Sequence, residues 1–161
     1  MRKIPLTHGR EAIVDDADFD FLSFFKWHAT ETGYAKRNVR THGGGYYRMV
    51  CMHDYILLPD PGIYVDHINS DRLDNRRANL RLCSHAENIR NQSMKSNNTS
   101  GYKGVCWDSS VERWRTTVTK DGRKIYIGVF VDAHAAALAY DEAALFHFGE
   151  FAKTNASIGV I

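Results

Sequence analysis

Apolar positions come in short runs over the first fifty residues. AIV (12–14), FLSFF (21–25) and YYRMV (46–50) alternate with the turn-forming clusters VDDADFD and THGGG, which predicts short strands and one helical stretch near residues 18–26. Trp27 and Tyr34 read as core or rim aromatics. MHDYILL predicts a short helix over 53–58, stopped by Pro59 and Pro61. Beyond it the pattern gives a strand over 63–67, a polar loop over 69–77 and a second strand over 79–82. Ser84 followed by Glu87 has the S-x-x-E form of a capping box, so a helix is expected over 85–94.

The small polar stretch KSNNTSG reads as a linker, placed at 96–101. YKGVCW, RWRTTVTK and KIYIGVF then give three strand-like runs, the last two joined by an Asp-Gly pair that signals a tight hairpin. Strand alternation puts Arg113, Arg115, Thr117 and Thr119 on one face and Trp114, Thr116 and Val118 on the other. Asp132 can cap a helix whose Ala136, Ala137, Tyr140, Ala143, Ala144 and His147 share a face, and so much alanine lets a helix lie very close to a sheet. The expected class is α+β. It comprises a small β-rich module over 1–50, a strand–strand–helix core over 51–95, and a three-stranded antiparallel sheet backed by one helix over 102–156.

The 161 residues, 43% apolar and 25% charged, have the composition of a folded protein. No apolar run reaches the roughly 18–20 residues that cross a bilayer. The start MRKIPLTHGRE lacks the apolar stretch of a secretory signal, so no membrane association and a cytoplasmic location are expected. Cys51, Cys83 and Cys106 are odd in number and far apart, which predicts no disulfides. The net charge of +2 hides an asymmetry: residues 103–124 carry six Lys or Arg against three acids, and residues from 132 onward carry one against four. The basic part points to a nucleic-acid partner.

Candidate chemistry concentrates in VDHINSDRLDNRRANLRLCSHAENIRN, residues 65–91. Taken alone, Asn69-Ser70 and Asp74-Asn75 read as turn formers. Asp66 and His67 are different: at a strand end one carboxylate can hold a metal while the neighbouring imidazole faces a water. Asn88 and Asn91 share a face of the expected helix. Cys51, His53, Cys83 and His85 form two Cys-x-His pairs and offer a structural zinc site as an alternative use, although paired zinc ligands usually have about two to four residues between them.

His67, Asn79 and Asn88, separated by 12 and then 9 residues and set among DHIN, DNR, NLR and E-N-x-x-N, resemble the motif of HNH (ββα-metal) endonucleases of the phage and intron-homing branch. The resemblance covers residues 51–94. It implies that Asp66 and Asn88 bind a divalent metal, that His67 is the general base, and that Asn79 bonds backbone across the loop to turn His67 correctly. It places Arg72, Arg76, Arg77, Arg81, His53 and Asn91 on the DNA. Many members have histidine where this chain has Asn88, and a neutral amide oxygen favours Mg²⁺ (or Mn²⁺) over zinc as the catalytic ion.

YKGVCW, Trp114, IYIGVF, A-x-x-A-A-x-A-Y-D-x-A-A and FGEFAKTN resemble the plant ethylene-response-factor (Apetala-two) DNA-binding domain over 101–155. That resemblance puts Lys103, Cys106, Thr117, Thr119, Lys124 and Tyr126 on the DNA side of the sheet, with Arg113 and Arg115 on the same basic face. The plant family has arginines where this chain has Cys106, Asp108 and Thr119, so the plant base preference is not expected. The two resemblances together imply a metal-dependent homing-type endonuclease that nicks or cuts double-stranded DNA. They further imply that it acts as a monomer, in the host cytoplasm if phage-encoded, without a small-molecule substrate. A DNA-binding transcriptional regulator with a degenerate nuclease core is the alternative.

Overall fold

The computed structural model describes residues 1–41, 45–91, 94 and 98–161, and they fall into two compact units, Met1–His85 and Ala86–Ile161. The chain adopts the expected α+β class.

In the first unit β1 (Arg2–Pro5) pairs antiparallel with β2 (Glu11–Val14), and α1 (Asp16–Ser23) follows. β3 (His28–Ala29), β4 (Ala35–Arg40) and β5 (Tyr47–Cys51) make a three-stranded antiparallel sheet. α2 (Met52–Leu57) starts directly from β5 and ends on Leu58, whose left-handed φ of 48° turns the chain before Pro59 is reached. β6 (Tyr64–His67) and β7 (Leu80–Cys83) then pair antiparallel. Strands β1, β3 and β4 lack clean apolar alternation, which is why the runs noted above passed over them.

One core holds this unit together. Ile4, Ala12, Val14, Leu22, Trp27 and Ala35 cluster with Met52, Ile56, Val65 and Leu80, so residues on both sides of position 50 bury each other. A strand–strand–helix core of a few dozen residues has too little interior of its own, and the preceding strands and α1 supply it. An aromatic group of Phe21, Phe25, Trp27 and Tyr55 extends the core, with Trp27 and Tyr55 edge to face at 5.6 Å and the Trp27 Nε1 donating to the Leu22 carbonyl at 2.8 Å.

α3 (His85–Arg90) lies at the division between the units; its expected continuation over 92 and 93, and linker positions 96 and 97, lie outside the described residues. In the second unit β8 (Val105–Asp108), β9 (Arg113–Lys120) and β10 (Arg123–Phe130) form an antiparallel sheet in the order β10–β9–β8. The Asp121-Gly122 turn takes positive φ at both positions, 51° and 76°, the geometry of a tight hairpin. α4 (Ala133–Phe148) begins where Asp132 accepts from the Ala135 N–H at 2.8 Å, and Ala136, Ala137, Tyr140 and Ala144 meet Val105 and Val118 of the sheet. Thr116, fully buried on the same side, donates its hydroxyl to the Ala136 carbonyl at 2.9 Å.

Asp141, on the buried side of α4, is a polar anchor that helical periodicity did not reveal. Its carboxylate accepts from the Asn155 backbone at 2.6 Å, the Asn155 amide at 2.9 Å and the Ala156 N–H at 2.9 Å. Asn155 in turn bonds both backbone groups of Lys103, tying the chain ahead of β8 to the segment after α4.

Gly104 sits in that tied segment at φ +76°, and a Cβ there would overlap the Tyr140 ring. Gly104→Ala combines left-handed strain with overpacking, and a loss of about 3 kcal/mol in the stability of the second unit is expected in denaturant unfolding.

Candidate active site

β6 and β7 run in the register Asp66↔Arg81 and His67↔Leu80. Asp66 and His67 point to opposite sides of β6, yet both are buried, at 6% and 4% exposure, because the strand is covered on both faces. On one side the Arg81 guanidinium donates to Asp66 Oδ2 from Nε at 3.0 Å and Nη2 at 2.8 Å. On the other, the His67 ring meets the rings of His53, on α2, and Tyr34 at 5.1 and 6.0 Å.

The loop from Ile68 to Asn79 is held by its own short polar side chains. Asn79 closes a single turn of 3₁₀ helix over Arg77–Asn79 rather than opening the second strand. Its Oδ1 accepts from the Asn69 N–H at 3.0 Å, its Nδ2 donates to the Asp74 carbonyl at 2.8 Å, and its own carbonyl accepts from the Ile68 N–H at 2.9 Å. Asn69 caps the Asp71 N–H at 2.8 Å and donates to Asp74 at 3.1 Å. β2 reaches this loop as well: Ile13 donates to the Leu73 carbonyl and accepts from the Asn75 N–H, both at 2.8 Å.

Asn75, 1% exposed, is the residue that sequence reading assigned only to a turn. Its Oδ1 faces His67 Nε2 at 3.4 Å, and its Nδ2 donates to the Arg72 carbonyl at 3.4 Å. Reversing the amide would set two oxygens against each other at Arg72, so the oxygen belongs toward the histidine. A carbonyl oxygen only accepts, so the Asn75 contact favours the tautomer of neutral His67 that carries its hydrogen on Nε2. Burial lowers the His67 pKa, opposed by the Asn75 bond and by Asp66 and Asp71. Burial, with His67 and Lys36 nearby, lowers that of His53 to about 3, so both rings are neutral at neutral pH.

His53 is 7% exposed inside this histidine pair, away from the surface position that a phosphate contact implied, because the first turn of α2 faces the core. The four arginines are engaged within the protein. Arg72 donates to the Thr32 carbonyl at 2.6 Å and lies over Tyr34, and Arg81 holds Asp66. Arg76 grips buried Asp74 through two bonds of 2.7 and 2.6 Å, and Arg77 grips Asp18 through two of 2.9 and 2.8 Å. Asn88 lies half-buried on α3, and Asn91 is buried just after it, where its N–H donates to the Glu87 carbonyl at 3.2 Å.

The zinc arrangement from Cys51, His53, Cys83 and His85 is not assembled. The Cys83 thiol donates to the Tyr64 carbonyl at 3.6 Å, and the His85 ring lies 5.2 Å from the Tyr64 ring. Among the described residues, Cys51, His53 and Asp54 are the group of ligand-type atoms that approach one another, within 4.8 Å. Asp54 there accepts from the Cys51 N–H at 3.3 Å as the cap of α2, and burial, aided by Asp54, pushes the Cys51 thiol up to about 11.

In the second unit Arg113, Arg115, Thr119, Lys124 and Tyr126 are exposed and Thr117 half-buried on one side of the sheet, with Thr117 opposite Tyr126 and Thr119 opposite Lys124. Arg115 is bonded to Asp108 at 3.0 Å on the same face. Lys103 departs from this group. Its backbone is fixed by Asn155, and burial, with Lys153 nearby, lowers its pKa to about 8.

An HNH endonuclease family model matches residues 57–90. The chain is 31% identical over 150 residues to an uncharacterized HNH endonuclease of Acanthamoeba polyphaga mimivirus, covering 91% of this chain and 75% of that protein. It is 43% identical over 63 residues to Protein 3.8 of Escherichia phage T7, covering 39% of this chain and about half, 52%, of that protein. Its C-terminal region is similar to an AP2-like ethylene-responsive transcription factor of Arabidopsis thaliana, 41% identical over 61 residues, which are 38% of this chain and 13% of that protein.

Two measurements check the electrostatics of the site. Nitrogen-15 NMR is expected to show His67 in the Nε2–H form in wild type and a mixture of forms in Asn75→Leu. His53, neutral when folded until about pH 3 and protonated when unfolded below about 6.5, favours the unfolded chain as pH falls through that window. At pH 5 this costs about 2 kcal/mol, and His53→Phe is expected to flatten the fall in unfolding free energy between pH 7 and 5.

Proposed function

Because the chain belongs to the HNH endonuclease family, we propose that it is a divalent-metal-dependent endonuclease that hydrolyses phosphodiester bonds in double-stranded DNA, directed to its target by the C-terminal sheet. The observation that carries this reading is the buried Asp66–His67 pair at the end of β6, with its loop tied by Asn79 and its ring faced by Asn75. Residues 51–95 carry the chemistry, residues 96–101 serve as linker and residues 102–156 read the DNA. The face of Arg113, Arg115, Thr117, Thr119, Lys124 and Tyr126 supplies salt-dependent phosphate contacts and base contacts in a groove wide enough for strands.

Asp66 and Asn88 would hold the ion, as the family resemblance implies. A carboxylate and an amide oxygen form a hard donor set suited to Mg²⁺ or Mn²⁺. The Arg81 guanidinium already holds Asp66 Oδ2, so a bound ion would share that carboxylate with it. The bound ion supplies Lewis-acid stabilisation of the charge that develops on the phosphate and leaving oxygen. His67 takes the proton of the attacking water, while Asn75 faces its Nε2 and the adjacent Asp66 favours the imidazolium that forms. Asn79 acts through the loop backbone, as a positioning residue.

The relatives from a phage and a giant virus favour a mobile, homing-type role in a host cytoplasm. A monomer is part of the same proposal. No helix among the described residues is long and apolar enough to cross a membrane.

Purified protein with Mg²⁺ or Mn²⁺ is expected to convert supercoiled plasmid to nicked or linear form. His67→Ala should lower the rate about 10²–10⁴-fold with duplex binding retained. Supercoiled DNA left intact by wild type across both ions, with specific binding preserved, would mark the chain as a DNA-binding regulator instead.

A further inference from the structure

Residues 33–51 contain four Lys or Arg and no Asp or Glu, in a chain with 19 acids. Within this stretch β4 and β5 pair in a register that sets Lys36 with Cys51, Asn38 with Met49 and Arg40 with Tyr47 on one face, and Arg37 with Val50 and Val39 with Arg48 on the other. On the second face the Arg37 guanidinium stacks 3.7 Å over Phe25, while Arg48 is exposed. The first face is open, with Tyr47 67% and Met49 61% exposed and Asn38 and Arg40 beside them. β3 covers only Ala35 and Lys36, so beyond Lys36 two strands project without a third.

The open face leads to the candidate active site. Lys36 Nζ lies 5.7 Å from the Tyr34 ring, and that ring touches both His53 and His67. Arg76, Arg77 and Arg81 are committed to carboxylates, whereas Arg40 forms no ion pair among the described residues and Lys36 reaches the Cys51 thiol with Asp54 nearby.

We propose that the face of Lys36, Asn38, Arg40, Tyr47 and Met49 is a second DNA-binding surface, which holds the substrate duplex beside the scissile phosphate independently of the C-terminal sheet. This rests on the reading of the chain as a DNA endonuclease. A two-stranded ribbon fits a DNA groove, its cations neutralise phosphates, and an exposed tyrosine packs on sugar or base. The nuclease unit thereby supplies cations to its own substrate, in place of the arginines its loop has used internally.

The test uses the full chain and a short fluorescent duplex in EDTA, so that binding is read without cleavage. Arg40→Ala/Tyr47→Ala is expected to raise Kd about tenfold and to reduce the slope of log K against log salt by about one. Arg40→Lys/Tyr47→Phe should restore both, and Arg48→Ala, on the other face, should change neither. In plasmid cleavage the double alanine variant should raise KM and leave kcat unaltered. Unchanged affinity and salt slope in the double alanine variant overturn the proposal, and if wild type still cuts plasmid the endonuclease reading survives that failure. A wild type that cuts nothing, with binding still lost in the double variant, sinks the endonuclease reading and keeps the surface.

Discussion

A largely irregular loop that carries polar side chains into the interior exists only if those groups find partners inside the protein. Between Ile68 and Asn79 that requirement is met by Asn69, Asp71, Asp74, Asn75 and Asn79, which bond backbone groups or one another. Removing buried Asp74, Asn75 or Asn79 leaves a buried donor or acceptor unmet, a cost of about 1–3 kcal/mol, so the loop is fixed by mutual dependence. The placement of the histidine follows from it.

The same accounting explains why so little of the loop's positive charge faces outward. Each of Arg76, Arg77 and Arg81 compensates a carboxylate that the fold has taken out of water, and Arg72 closes the loop onto the Thr32 carbonyl. Asp66 and Asp74 could not be buried as anions without them. Charge that appears in the sequence as a basic tract is, in the folded unit, mostly neutralised locally.

The strands and helices were readable where one face meets water and the other a core. β9, β10 and α4 show it: Thr116 and Val118 alternate against Arg115 and Thr117, and the alanines of α4 repeat at helical spacing. β1, β3 and β4 were missed because AKRNVR and RKIP owe their conformation to neighbours rather than to alternation. In the site, Asp66, His67 and Asn79 were visible from spacing. Asn75 was not, because its partner His67 is defined by a fold and Asp-Asn is also an ordinary turn. His53 and Asn91, both buried, and half-buried Lys103 were placed at the surface because polarity alone does not report burial. Pairings such as Arg77 with Asp18 join residues 59 apart, beyond the reach of any local pattern.

The pairing of Ile13 with Leu73 and Asn75 has a consequence for how such enzymes can be assembled. The motif that defines the nuclease occupies a contiguous stretch, yet part of its hydrogen-bonding frame comes from a strand some sixty residues earlier in the chain. The stretch is therefore not a self-contained cassette. Grafted alone into another protein it would carry its histidine and lose the strand that holds the histidine's partner. A recombination event that exchanges the C-terminal sheet leaves this frame intact, and one that separates β2 from the loop does not, so the exchangeable boundary of the protein lies behind the nuclease motif rather than in front of it.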